Sequence, residues 1–302
     1  MEENQEPFSD GSNLQRSIVW VKDFIVRRKF LSAIILAATI VVVQIMLLPF
    51  GEISQLKSKN PTSTAFMNYY TDQAKARGKP FRLRHSWVGL NRISKSLVDA
   101  VVVSEDGSFW SHSGFDWFEF RESVMRNVRE GRAARGASTI SQQLVKNLYL
   151  SPSKNPLRKL KEWILTWWLE QNLTKSRILE LYLNLIEWGE GIYGIQSASE
   201  FYYGIFASEL GARESARLAA VIPNPKRWSP IGGTKYIERR AELIVQRMLA
   251  RGMLQAAPSG VRVDSAAASE PLPEEPETPE SSSPQNNQKA HETLDTVKVN
   301  EL

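Results

Sequence analysis

Cysteine is absent from this chain. That excludes disulfides and thiolate-ligated metal or redox centres. Histidine is scarce, with three residues in 302, and neither repeats nor metal-ligand spacings stand out. Charge is missing from one long stretch, FLSAIILAATIVVVQIMLLPF at residues 30–50, whose only side-chain amide is Gln44. About 20 apolar residues suffice to cross roughly 30 Å of hydrocarbon, so this run reads as one transmembrane helix. A signal peptide fits less well, because its apolar region is usually about 7–15 residues long. A buried core helix rarely carries so unbroken a run. Aromatic residues are missing after Tyr236. There the composition turns to SEPLPEEPETPESSSPQNNQ, too poor in apolar surface to offset chain entropy, and residues 256–302 read as a disordered tail.

What is present is a folded middle of one or two domains. Of all residues 42% are apolar, and the net charge is +5. That charge is unevenly spread. Residues 256–302 hold 3 basic and 9 acidic side chains, residues 1–29 hold 5 of each, and residues 30–255 hold 30 basic and 19 acidic. A basic surplus suits anionic partners such as nucleic acid, phospholipid or a phosphorylated substrate. Arg27, Arg28 and Lys29 precede the apolar run, which places the N-terminus in the cytoplasm and the basic body outside it. Nucleic acid is then excluded as a partner, and membrane-surface or phosphorylated-lipid chemistry is favoured. The layout is a cytoplasmic arm at 1–29, a transmembrane helix at 30–50, a connector at 51–80, a mainly helical body at 81–255 and the tail.

Helical periodicity marks the body. A helix starts at Ser138 as N-cap, with Ile140, Leu144, Val145 and Leu148 on one side and Thr139, Gln143 and Lys146 on the other. A second follows Asn155-Pro156, with an apolar face of Leu157, Leu160, Trp163, Ile164, Trp167 and Trp168; Arg158 and Glu162 share another face. A third runs from Thr174 to Gly189, with Ile178, Tyr182, Leu185 and Ile186 inward, and a last covers 235–251 and ends at Gly252.

The stretch SEDGSFWSHSGFD, residues 104–116, gathers Glu105, Asp106, Asp116 and His112 beside Phe109 and Trp110. A second negative charge and apolar neighbours raise a carboxyl pKa, as a general base requires. A solvated acidic turn is the plainer alternative. Glu162 is likewise either a second acid or half of an i, i+4 pair with Arg158. RGAST at 135–139 is either a glycine turn or a set of backbone N–H groups and Arg135 aimed at an anion.

Together these pieces carry more than they do singly. VVSEDGSFWSHSGFD, RGASTISQQLVKNLYL, RKLKE, RILELYLNLIEWGEGIYGIQSASEFYYG and ARLAAVIPNP, in that order over about 95–230, resemble the peptidoglycan glycosyltransferases of family 51. The layout resembles the family's monofunctional form. Ser54-x-x-Lys57 and Ser151-x-x-Lys154 match a transpeptidase nucleophile pattern by chance, with no domain following to house it.

The resemblance implies a mainly α fold: a lysozyme-like helical lobe with a small membrane-proximal jaw, preceded by one transmembrane helix. It implies polymerisation of lipid II at the bacterial inner membrane, with inversion at the anomeric carbon and release of undecaprenyl pyrophosphate. Glu105 matches the catalytic base and Glu162 the second essential glutamate. Lys146, Arg158 and Arg135 match pyrophosphate-holding positions. Ser138, Thr139, Gln143 and Asn147 match the cleft lining, and Asp106, Phe109 and His112 the residues that position the base. No cofactor is obligatory, although a divalent cation, Mg²⁺ or Mn²⁺, often assists the leaving group in this family. Its partners are lipid II, the nascent glycan strand and the membrane; cell-division or elongation proteins are candidates. Two rival readings are a muramidase-like hydrolase and an inactive, membrane-anchored scaffold. Ala137 stands where the family often has glycine, and Glu187 and Glu190 carry no assigned role.

Overall fold

A computed structural model describes residues 11–78, 80–130, 138–152, 156–254 and 268–273. It divides into two units, Met1–Pro49 and Phe50–Leu302. The first unit is built on helix α1 (Gly11–Met46), which stops just short of Pro49. Residues Arg27–Gln55 are long and apolar enough to cross a membrane, and the expected span at 30–50 lies inside that stretch. Phe30, Leu31, Ile34, Ile35 and Leu36 are exposed, as on a helix whose apolar surface has no protein core to enter.

The second unit begins with α2 (Phe50–Gln55) and α3 (Ala65–Ala76). Then come β1 (Arg84–His85), a single 3-10 turn (Leu90–Arg92), α4 (Lys95–Glu105), α5 (Trp117–Glu130), α6 (Ile140–Tyr149), α7 (Pro156–Asn172) and α8 (Lys175–Leu185). The order continues with β2 (Glu187–Gly189), β3 (Ile192–Tyr193), α9 (Ile195–Tyr203), α10 (Ala212–Val221) and α11 (Lys235–Ala250). The body is mainly α, as expected. Residues 51–78 contribute two helices to this unit: α2 packs on α7, and α3 on α6. Of the tail expected at 256–302, only 268–273 lies among the described residues.

Caps explain the helix starts. The Thr64 side chain accepts from the Met67 N–H at 3.1 Å, and Thr174 accepts from the Arg177 N–H at 3.3 Å. The start expected at Ser138 falls one residue later. Thr139 is the N-cap of α6 because it forms a reciprocal capping box with Gln142, satisfying two otherwise orphaned donors. The third expected helix also ends early. After Leu185 the backbone turns extended at Ile186, and Glu187–Gly189 pairs antiparallel with β3. Two glycines make this turn feasible. Gly191 sits at φ +73°, where a Cβ would lie 2.6 Å from the Arg82 carbonyl oxygen, and at Gly194 (φ +79°) a Cβ would lie 2.8 Å from that of Asn184.

The strand order is β1-β3-β2, with β1 parallel to β3. Asn184, wholly buried, ties the segment after β1 to α8: its side chain accepts from the Val88 N–H and donates to the Val88 and Glu180 carbonyls, all at 2.8 Å. The core divides around two packings, α4 against α10 and α11, and α6 against α7 and α8. Leu97, Ala100, Val101, Ile140, Leu144, Leu165, Leu169, Ile178, Leu218 and Ile244 are fully buried within it. Each of the larger side chains contributes about 1.5–3 kcal/mol. The inward residues expected on α8 are all buried.

Helix α7 behaves differently. Its apolar residues gather on one face as the periodicity indicates, yet Leu157, Leu160, Trp163 and Trp167 are 39–52% exposed. The buried face carries Leu165, Leu169, Thr166 and Glu162 instead. Helix α5 also shows apolar residues outward: Trp117, Phe118, Phe120, Val124, Met125 and Val128 are all exposed. Singly exposed hydrophobic residues need no account, but this many on two helices mark a contact surface.

Candidate active site

Helix α4 ends on Glu105, and Asp106 leaves the helix in a non-helical conformation (φ −161°, ψ 75°). The Asp106 carboxylate is buried and bridges two elements. Its Oδ2 accepts from the Ile140 N–H at 2.9 Å, at the first turn of α6, where the helix dipole favours an anion. Its Oδ1 receives His112 Nε2 at 2.9 Å. His112 Nδ1 accepts from the Gly114 N–H at 3.1 Å, which leaves the ring proton on Nε2 for Asp106. Phe109 is fully buried and meets the His112 ring edge-on. Asp106, Phe109 and His112 therefore lock the turn that presents Glu105.

Glu105 itself is held on three sides. Gln143 Nε2 donates to Oε2 at 3.0 Å; Ser104 Oγ donates to Oε1 at 3.2 Å; Arg240 Nη2 stands 3.5 Å from Oε1. The other end of the Gln143 amide accepts from the Tyr182 hydroxyl at 2.9 Å. Burial, reinforced by the charges of Glu105 and Asp106, pushes the Tyr182 pKa well above its ordinary value, so the phenol stays a donor. That fixes which end of the amide faces the carboxylate.

One turn along α6, Lys146 is half-buried, and burial lowers its pKa below the usual lysine value. Glu162 and, less strongly, Glu105 oppose that shift, while Arg158 and Lys159 add to it. The ammonium thus feels both glutamates and two further cations. Glu162 is 3% exposed and sits 2.5 Å from Lys159 Nζ and 3.7 Å from Arg158 Nη1. Arg158 Nε is buried with no hydrogen-bond partner among the described residues. A guanidinium with an unused inner donor, near a half-buried ammonium, has the chemistry to receive an acceptor-rich group such as phosphate.

The other expected residues are placed as follows. Ser138 lies beside the amide, its carbonyl 3.4 Å from Gln143 Nε2. Asn147 donates to the Gln143 carbonyl at 2.8 Å. Thr139 is turned into the structure: its hydroxyl donates to the Gly114 carbonyl at 2.7 Å and accepts from the Gln142 N–H, so it serves as a cap and tie. Arg135 lies outside the described residues. Sequence reasoning passed over Ser104, Arg240 and Lys159, and read Tyr182 only as scaffold. Arg240 is remote in sequence from every motif, so nothing local flags it.

Among the described residues no group of three or more His, Asp or Glu gathers to hold a metal. The oxygens of Glu105 and Glu162 already face Gln143, Arg240, Lys159 and Arg158. As arranged, these side chains do not make a divalent-cation site.

The transglycosylase family profile matches residues 73–249. The chain is 41% identical over 221 residues to the biosynthetic peptidoglycan transglycosylase of Janthinobacterium sp. (strain Marseille), covering 73% of this chain and 96% of that protein. The protein of the same name from Herminiimonas arsenicoxydans is 40% identical over 221 residues, with the same coverage. That of Aromatoleum aromaticum is 46% identical over 190 residues, covering 63% of this chain and 82% of the relative. With its mainly helical fold, the matched profile and these relatives, the chain belongs to the transglycosylase family and is a glycosyltransferase.

Proposed function

We propose that this member of the family polymerises lipid II into peptidoglycan glycan strands, with Glu105 as general base and undecaprenyl pyrophosphate as leaving group. Glu105 takes the proton from the 4-hydroxyl of the acceptor sugar as that oxygen bonds to the anomeric carbon of the growing chain. The bond from that carbon to the pyrophosphate oxygen breaks on the opposite face, which inverts the centre. The electron pair leaves on the pyrophosphate. A positioned base supplies about 10²–10⁴-fold. Fixed cations aimed at a charge that grows during bond breaking lower the barrier further, because their orientation is set beforehand.

The observation that carries this reading is the setting of Lys146: a half-buried ammonium drawn by both Glu105 and Glu162, grouped with Arg158 and Lys159. Glu162 keeps those cations in place. A muramidase-like hydrolase needs two carboxylates across a glycosidic bond with room for water, and has no diphosphate for such a cluster to neutralise. An inactive scaffold has no need of a base so closely held. The exposed aromatic faces of α5 and α7 support contact of the body with the lipid surface, where Trp and other amphipathic rings settle. With Arg27, Arg28 and Lys29 before the apolar stretch, the reading places the N-terminus in the cytoplasm and the body outside, anchored in the inner membrane.

Incubation of the full chain with lipid II in detergent or vesicles tests the proposal. Long glycan strands and released undecaprenyl pyrophosphate are expected. Shortening of preformed strands, with no polymer made, would favour the hydrolase.

A further inference from the structure

Helix α11 carries Arg240 and Arg247, and Arg251 caps its C-terminus; at i, i+7 and i+11 the three form one stripe along a single helical face. The two ends of the stripe grip the turn that presents the base. Arg240 reaches Glu105 and, at 3.4 Å, the Ser104 hydroxyl; Arg251 Nη1 donates to the Gly107 carbonyl at 2.9 Å. Gly107 admits this approach because it lacks a side chain: a Cβ there would lie 2.8 Å from Arg251 Nη2.

The same stripe is also occupied from outside. Arg247 Nη2 donates to the Glu270 carbonyl at 2.6 Å, and Arg240 Nη1 donates to the Pro273 carbonyl at 3.3 Å. Arg239 adds a looser ion pair to the Glu270 side chain at 3.7 Å. Glu270 faces Arg247 and Pro273 faces Arg240, so the segment runs antiparallel to the helix. The spacing fits. Seven helical residues rise about 10.5 Å, and three residues of a polyproline strand about 9.3 Å, with every third carbonyl pointing the same way. Pro271 and Pro273 restrict the chain toward that extended form and so reduce the entropy lost on docking.

We propose that residues 268–273, helical at 268–269, bent at Glu270 and without regular structure from Pro271 to Pro273, form a tethered strap that occupies the arginine stripe of α11 and closes the rim beside Glu105. The surface it fills is a docking site for extended, proline-containing chain whose carbonyls meet Arg240 and Arg247. One guanidinium, that of Arg240, serves both the strap and the base, whose side chain is 10% exposed. An acceptor sugar must reach that carboxylate. Docking therefore lowers the fraction of chains open to substrate, and the apparent affinity falls by that fraction. The strap lies outside residues 73–249, the part matched by the family. The effect on turnover rests on the proposed function; the docking does not.

The test uses the full chain, whose lack of cysteine allows labels at chosen sites. Spin labels at Ser269→Cys and Ala250→Cys report the strap-to-helix distance. A narrow short distance is expected, broadening when Pro271 and Pro273 are both replaced by glycine; a broad distribution in the unmodified strap would overturn the docking. In parallel, residues 268–273 are replaced by a Gly/Ser segment of equal length and initial rates are followed at subsaturating lipid II. A rate increase of about 2- to 10-fold is expected, the range for a weak contact held at the millimolar local concentration of a tether. Equal rates in the two chains would overturn the regulation. If neither chain makes polymer, the functional reading fails, while the label distance still decides the docking.

Discussion

Tyr182 and Glu105 are joined through one side chain: the Gln143 amide accepts from the phenol at 2.9 Å and donates to the carboxylate at 3.0 Å. The relay ties Glu105, the proposed base at the end of α4, to α8 through α6. It gives a wholly buried tyrosine a role that its burial alone conceals.

Tyr182→Phe keeps the ring and removes the relay. A stability loss of about 0.5–1.5 kcal/mol is expected, the net value of one buried hydrogen bond. The Gln143 amide is then free to turn its oxygen toward Glu105, so kcat is expected to fall several-fold with little change in KM. Thermal unfolding and steady-state kinetics read the two effects. A loss of stability with unchanged kcat would leave Tyr182 a packing residue only.

In the proposed reaction Lys146 is the group through which pH acts on the leaving-group side. Its pKa lies below the ordinary lysine value because it is buried. The charged form is present at low pH and lost as pH rises through that depressed pKa, so the rate is expected to fall there. Lys146→Arg removes this titration, since guanidinium stays charged across the accessible range. Its residual activity is expected to extend to higher pH than that of the native chain. An alkaline limb at the same pH in both proteins would assign that limb to another group.

How much of this was legible in the sequence differs from residue to residue. The stripe of Ile140, Leu144, Val145 and Leu148 on α6 reads directly, because helical periodicity and burial coincide there. Ser138 and Thr139 are both good caps, so the start of α6 is ambiguous by one residue from the sequence; the T-x-x-Q spacing of Thr139 and Gln142 is the local sign that separates them. On α7 the periodicity is clear but ambiguous in direction, since a lipid-facing stripe and a core-facing stripe have the same period. The early end of α8 depends on Gly191 and Gly194 permitting a hairpin, a tertiary outcome that continued helical periodicity masks. The motifs marked Glu105, Asp106, His112 and Glu162, and the structure gathers the first three around one turn. Arg240 comes from a distant helix with no local pattern, so only the folded chain brings it to Glu105.

Glu187, unassigned from sequence, is a second titrating centre. Burial pushes its carboxyl pKa up to about 7, against the pull of Lys226, whose Nζ lies 3.6 Å away. A raised pKa means that the folded chain holds this proton more tightly than the unfolded one. The associated stability is fully present below about pH 4.5, the ordinary value, and is lost as pH rises through 7. The shift corresponds to about 3 kcal/mol. Glu187→Gln is expected to flatten this dependence, gaining stability relative to the native chain above pH 7, less what Lys226 loses in partner. Thermal unfolding between pH 4.5 and 8 checks it; parallel curves for the two proteins would remove Glu187 as the source.

The account rests on Glu105 as the base, and its removal is the most direct test. Glu105→Gln keeps the shape of the side chain and its place beside Gln143 and Arg240 while removing the proton acceptor. Lipid II turnover by this variant, measured beside a thermal unfolding curve, is expected to fall by about 10²–10⁴-fold with the fold intact. Near-normal polymerisation by a folded Glu105→Gln protein would contradict the account.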